Sequence, residues 1–292
     1  MKNNFLENNY KWINWVTVID SWKKWKNMWI FAVTHWNEPV WIEIFKYLLE
    51  DFNLKNKILW WKIFLISVNI KWYKRYLESW EKNSFRFIDD NMNRISNQKF
   101  KKNSYEFWRF KELKNIFNEI DFAIDLHSVS KWDDLIWITD EKFLQNWKNF
   151  FDTDTILVDK IWDTWALIWE FIRTWKESYW LECWNHLWNQ SFKNGKKNIL
   201  NFLIYKKFIC WKINLRKNIN IFSFIEEIIP KSKNFKFFQN YRWFTEIKKW
   251  EKYWVDWNFD YLNNYWDNIF LWMASKKINY PDWCGFLFKK IF

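Results

Sequence analysis

The sequence predicts an α/β fold, a mixed central sheet flanked by helices, with a smaller β-rich domain at the C-terminal end. Two observations predict it. Apolar runs of strand length alternate with helical patterns through the first two thirds of the chain, which is how a mixed or mostly parallel sheet covered on both faces is written. From about Ile219 the alternation stops, and short apolar runs follow one another across polar turns without helical periodicity. The 292 residues suffice for one large or two modest domains. The boundary falls between residues 216 and 217, giving a domain of residues 1–216 and a β-rich domain of residues 217–292.

Taken in order, Met28 to Val33 is an apolar run that reads as a buried strand. Pro39 suits the first position of a helix, and Val40, Phe45, Leu48, Leu49 and Phe52 recur at near-helical spacing through Asp51. Ile63 to Val68 is a second buried strand. The polar stretch Asn69 to Asn103 has little periodicity, and a loop of that length in a compact domain is usually functional. Ser104 can cap a helix whose apolar face is Phe107, Phe110, Leu113, Ile116 and Phe117. A third strand, Phe122 to Leu126, ends at His127-Ser128. Leu135 to Ile138, Thr155 to Val158 and Tyr179 to Cys183 are further strands, with a helix begun by Asp140 after the first and a helix from Asn198 to Ile209 after the last. Beyond Ile219 the runs Ile219 to Phe224, Phe235 to Phe238, Ile269 to Met273 and Phe286 to Phe288 make the β-rich part.

The chain carries 30 Trp and 2 Gly, where average usage predicts roughly 20 glycines. The tryptophans also stand where glycine belongs. Trp36 lies in a turn between His35 and Asn37, and Trp162, Trp165, Trp169, Trp175, Trp180, Trp184 and Trp188 punctuate loop-like sequence. Turns need positive φ and close backbone approach, which the bulkiest side chain serves poorly. The expectation is that most of these positions are glycine in the native protein, written as Trp because a reassigned UGA codon was translated with the wrong table. Tryptophan at Trp36 and Trp184 in a mass spectrum of the native protein would contradict it.

The formal charge is +12, and basic residues interleave with aromatics in Trp22-Lys23-Lys24-Trp25-Lys26, a pattern that could stack on and neutralise single-stranded nucleic acid. With glycines restored the segment becomes a flexible basic turn, so no nucleic-acid partner is expected and the Lys, Asn, Ile and Phe bias fits an A/T-rich genome. Cys183, Cys210 and Cys284 form no paired spacing and leave an odd count, so neither a disulfide framework nor a cysteine zinc site is indicated, and a reducing cytoplasm is the simplest inference. Met1 to Asn14 has no apolar core of signal-peptide length, and the most apolar run, Ile58 to Ile70, is interrupted by Lys62 and too short to span a bilayer. No membrane partner is expected.

The chemistry concentrates in Thr34-His35-Trp36-Asn37-Glu38-Pro39-Val40-Trp41. Of three histidines, His35 and His127 directly follow strands, and in open α/β sheets the ligand crevice lies beyond the carboxyl ends of the strands. Both imidazoles would converge there with Glu38. Hydrolytic zinc takes such a two-histidine, one-carboxylate set and keeps a fourth position for water, whose pKa it lowers toward neutrality. Asp125 shares a strand face with His127 and could orient it. His186 reads as structural.

With Trp read as Gly, Thr34 to Trp41 becomes T-H-G-N-E-P-V-G, which resembles the first metal motif of the succinylglutamate desuccinylase/aspartoacylase family of zinc carboxypeptidase-like amidohydrolases. Ile124-Asp125-Leu126-His127-Ser128 is similar to its second motif. Arg86-Phe87-Ile88-Asp89-Asp90-Asn91-Met92-Asn93-Arg94 resembles its substrate-binding loop, and Leu181-Glu182-Cys183-Trp184 its catalytic glutamate segment. The four occur in the family's order, and Trp36, Trp41 and Trp184 fall on its glycines. Asn91 stands where the family usually has Asp, and a tyrosine that some members use has no evident counterpart.

The resemblance implies one Zn2+ per chain held by His35, Glu38 and His127, with Glu182 as general base on water and then acid toward the leaving amine. It implies that Arg86 polarises the scissile carbonyl, that Asn93 and Arg94 grip a substrate carboxylate, and that Arg173 holds a second one. The implied activity is hydrolysis of an N-acyl amino acid of the N-succinylglutamate or N-acetylaspartate type. The alternatives are a peptidase or amidase of the wider zinc carboxypeptidase class and a basic nucleic-acid-binding protein.

Overall fold

The structure is a computed structural model that describes residues 8–23, 26–35, 38, 40–59, 61–71, 88–94, 103–129, 135–145, 150–158, 167–185, 189–212, 219–242, 244–257, 259–265, 267–274 and 284–292. It divides into two compact units, Met1–Asp154 with Ile161–Lys217, and Thr155–Lys160 with Asn218–Phe292.

The first unit is built on β1 (Val16–Asp20), β2 (Asn27–Ala32), β3 (Lys62–Ser67), β4 (Phe122–Val129), β5 (Leu135–Thr139) and, later in the chain, β7 (Glu177–Asn185). Their order is β5-β7-β4-β2-β3-β1. The four central strands β7, β4, β2 and β3 run parallel, and β5 and β1 close the two sides antiparallel. Every residue of β2 from Met28 to Ala32 is buried, as a strand covered on both faces requires. On one face Trp29, Phe31, Phe64 and Ile66 pack with α2 (Tyr105–Lys114) and α4 (Leu167–Arg173). On α1 (Val40–Lys46), Trp41 and Ile44 meet α5 (Asn189–Tyr205) at Gly195, where an added Cβ would lie 2.6 Å from Ile44 Cδ1 and 2.9 Å from Cys183 Sγ. A short helix, α3 (Glu141–Leu144), follows β5, capped as expected by Asp140, whose Oδ1 accepts the Lys142 N–H at 3.0 Å.

The helices differ from expectation in instructive ways. α1 gives way after Lys46 to a single wide turn, Tyr47–Asp51. α5 begins at Asn189, not Asn198, because its first half buries polar groups that apolar periodicity does not register. Ser191, Asn194 and Asn198 face inward, and Asn198 accepts the Trp137 indole N–H at 2.9 Å. α2 begins after Ser104, whose hydroxyl accepts the Phe107 N–H at 3.2 Å, yet it buries Glu106, Arg109 and Leu113 in preference to Phe107 and Phe110.

The second unit contains no helix among the described residues. Its five-stranded sheet has the order β10-β13-β14-β8-β6, with β6 (Thr155–Val158), β8 (Asn220–Ile228), β10 (Thr245–Ile247), β13 (Ile269–Trp272) and β14 (Gly285–Lys290). A smaller sheet joins β9 (Lys236–Phe237), β11 (Lys252–Asp256) and β12 (Phe259–Leu262). Ile228, Phe235, Tyr253, Ile269, Leu271 and Leu287 lie in its core.

Tryptophan sits badly in this backbone. Trp12, Trp15, Trp22, Trp175, Trp250 and Trp257 adopt φ between 59° and 69°, the left-handed region that side chains with a Cβ avoid. Trp12 and Trp22 are 98% and 88% exposed. Trp29, Trp41 and Trp254 bury indole N–H groups that meet no acceptor, a cost of about 1–3 kcal/mol each. None of the described residues forms a helix long and apolar enough to cross a membrane.

Candidate metal centre

Two adjacent parallel strands deliver the centre. β2 ends at Ala32, and Val33 turns the chain with φ of 59°, strained for a β-branched residue. The turn is pinned from β3's exit, where the Val68 N–H reaches Ala32 O at 2.8 Å and the Asn69 N–H reaches Val33 O at 3.0 Å. It sends Thr34 and His35 beyond the carboxyl edge of the sheet. Glu38 follows just before α1, and His127 projects from β4 next door.

His35, Glu38 and His127 bring one ligand atom each within 4.8 Å of one another, all buried. Nδ1 of His35 is 3.0 Å from Glu38 Oε1, and Nδ1 of His127 is 3.3 Å from Glu38 Oε2. The opposite ring nitrogens face acceptors. Nε2 of His127 is 3.1 Å from Asp125 Oδ1, and Nε2 of His35 is 3.2 Å from Asn91 Oδ1. Without an ion the Glu38 carboxylate faces the two rings as an ion-pair partner. With a metal among them, the acceptors at Nε2 would hold the hydrogen there and leave the Nδ1 lone pairs and the carboxylate to the ion, and nitrogen with carboxylate oxygen is the donor set zinc accepts. The residues present therefore fit the metal.

The carboxylate and imidazole charges show the same design. Burial alone raises the Glu38 carboxyl, but the charges of His127 and His35 outweigh it and hold Glu38 well below its ordinary value. Burial lowers His127, and Asp125 with Glu38 more than reverses this, so that His127 lies well above the ordinary histidine value. Glu38 Oε2 also accepts the Ser128 N–H at 3.1 Å, and Thr34 donates to Asp125 Oδ1 at 3.1 Å.

Glu182 stands on β7 directly beside His127 in the parallel register of β4 and β7. Its Oε1 accepts the Trp180 indole N–H at 3.1 Å, and the Trp180 ring lies over His127 with centroids 4.5 Å apart. Asn93 is buried with its amide nitrogen 3.4 Å from His127 Nε2. Arg94 ends the turn Met92–Arg94, but its side chain, like all of Arg86, His186 and Trp36, lies outside the described residues. The structure does not bring Arg173 to this centre. It ends α4, bonded to Glu170, ahead of Glu177 where β7 begins. The five steps from Glu177 to Glu182 extend about 16 Å at strand rise, so Arg173 lies toward the amino edge of the sheet.

Three contributors went unread in the sequence. Asn91 figured there only as a departure from a pattern, and Glu106 and Arg109 not at all. Arg109 donates to the carbonyls of Val68, Ser67 and Asn14 at 3.0, 3.1 and 2.8 Å. The signal was available, because positions 106, 109 and 113 are as helically spaced as 107, 110 and 113.

No family model and no curated protein matches this sequence. Solved structures do. A succinylglutamate desuccinylase from Vibrio parahaemolyticus superposes with a TM-score of 0.76 at 12% identity, over 94% of this chain and 86% of that one. The enzyme of that name from Vibrio cholerae gives 0.72 at 15%, over 91% and 81%. A succinylglutamate desuccinylase/aspartoacylase from Rhodobacter sphaeroides gives 0.69 at 13%, over 98% and 94%. At these identities the likeness shows a shared fold.

Proposed function

We propose that this chain is a zinc-dependent amidohydrolase of the succinylglutamate desuccinylase/aspartoacylase family that frees an amino acid from its N-acyl derivative. The observation that carries the proposal is the convergence of His35, Glu38 and His127, with both Nε2 atoms held from behind and Glu182 one strand away in register. Zinc bound by these three residues supplies Lewis acidity at the scissile carbonyl and brings the pKa of water toward neutrality.

The chain's own groups do the rest. Glu182 accepts the proton of the attacking water and returns it to the departing amine nitrogen. Arg86 stabilises the negative charge that develops on the carbonyl oxygen. Asn93 and Arg94 hold the substrate carboxylate, the guanidinium by its two-pronged fork. An acidic acyl amino acid such as N-succinylglutamate or N-acetylaspartate supplies that carboxylate. Trp180 occupies the Glu182 carboxylate that the reaction needs, and it is among the positions expected to be glycine. Residues 1–216 carry the catalysis, and free Cys183, Cys210 and Cys284 suit a reducing cytoplasm.

The test is a metal assay paired with a screen of N-acyl amino acids. His35→Ala or Glu38→Ala is expected to lose both zinc and hydrolysis, while Glu182→Ala keeps zinc and loses roughly 10²–10⁴-fold in turnover. A zinc-free preparation with full activity overturns the proposal.

A further inference from the structure

Helix α2 carries a buried carboxylate that, among the described residues, has no cation among its hydrogen-bond donors. Glu106 is fully buried. Its Oε1 accepts Asn69 Nδ2–H at 3.2 Å and the Ile88 N–H at 2.8 Å, and its Oε2 accepts the N–H groups of Asp89 and Asp90 at 3.2 and 3.1 Å. Four neutral donors fill the four lone-pair sites of an ionised carboxylate. The grip is reciprocal, since Asp89 Oδ2 accepts the Tyr105 N–H at the start of α2 at 2.8 Å.

The two segments so gathered flank His35. Asn69 fixes the turn before it through Val33 O. Residues 88–90 lead into Asn91, whose Oδ1 meets His35 Nε2 at 3.2 Å and also accepts the Asn93 N–H at 2.9 Å. A carboxylate is costly to bury, and its presence is explained when the geometry it enforces is needed elsewhere. Resting on the metal-site reading above, we infer that Glu106 is a positioning residue: by clamping Asn69 and residues 88–90 it sets Asn91 against His35 and so determines which ring nitrogen of His35 faces the metal.

The chain has three histidines, so nitrogen-15 histidine resonances of the zinc-loaded full chain can report each ring separately. The unaltered protein is expected to hold His35 with its hydrogen on Nε2 and Nδ1 toward the metal. In Glu106→Gln an amide N–H replaces one acceptor, and the His35 signals are expected to shift toward mixed tautomers while His186 stays unchanged. Asn91→Ala is expected to reproduce the His35 change. Zinc affinity is expected to weaken about tenfold in both, the lower end of losses on removing an orienting partner. Asp89→Ala opens the exposed half of the clamp, gives the same change in smaller measure, and carries the test if Glu106→Gln does not fold. His35 signals that stay fixed in the folded variants, or that move together with those of His186, overturn the inference. A chain that binds no zinc refutes the metal reading, whereas zinc bound at unchanged affinity with fixed His35 signals in the variants refutes the clamp alone, so the two failures are distinct.

Discussion

Replacing Trp12, Trp22, Trp175, Trp250 and Trp257 together by glycine is expected to stabilise the protein. Each holds φ between 59° and 69°, and each is well exposed, so little packing is lost with the indole. A residue with a Cβ in the left-handed region costs about 1–2 kcal/mol. Glycine returns roughly 0.5–1 kcal/mol of that through its greater freedom in the unfolded chain. The net gain is therefore about 0.5–1 kcal/mol per site and about 2.5–5 kcal/mol for five independent sites. At about 2 °C per kcal/mol for a chain of this size, Tm rises by roughly 5–10 °C. Thermal melts should be compared with the matching five-alanine variant, which removes the indoles but keeps the Cβ atoms. If the glycine and alanine proteins melt at the same temperature, the backbone reasoning is wrong. Intact-mass and peptide spectra of the native protein then test the codon expectation itself.

Two further outcomes follow from the metal centre. Asp125 and Glu38 more than offset the effect of burial on His127 and keep that ring protonated to higher pH than an ordinary histidine; since metal and proton compete for the imidazole, zinc affinity is expected to fall on acidification beginning above the ordinary histidine range. Chelator competition across pH measures this, and affinity that is flat or rises as pH drops contradicts it. Trp180→Gly is expected to raise kcat/KM of the zinc-loaded chain, because it removes the indole donor from Glu182 Oε1 and the Trp180 ring from over His127; unchanged or lower kcat/KM argues against Glu182 as the base.

What the sequence showed and hid follows from one physical difference. β2, β3 and β4 are legible because a strand buried on both faces is a continuous apolar run. His35 and His127 are legible because histidine is rare here and both follow such runs. Buried polar groups with dedicated partners leave no such trace. The inward face of α2, Glu106 and Arg109, and the polar first half of α5 were therefore passed over for Phe107, Phe110 and a late helix start. Thr155–Val158 was recognisable as a strand, but its parallel partner Asn220–Ile228 lies so far along the chain that its membership of the second unit could not be read. Arg173 ends α4, and a residue that ends the helix before a strand arrives at that strand's amino edge, while the ligands stand at the other.

The side-by-side register of β4 and β7 also governs when the centre can come into being. His35 and Glu38 are far from His127 in sequence and meet it only after β2 and β4 have closed a long crossover connection, so the loop-closure entropy is lost before the donor set exists, and Glu182 joins only when β7 pairs with β4. A metal ion cannot nucleate this fold as it does a zinc finger. An ion held by these residues would arrive at a sheet already formed and act as a lock, shifting the population of the finished state by mass action without hastening its assembly.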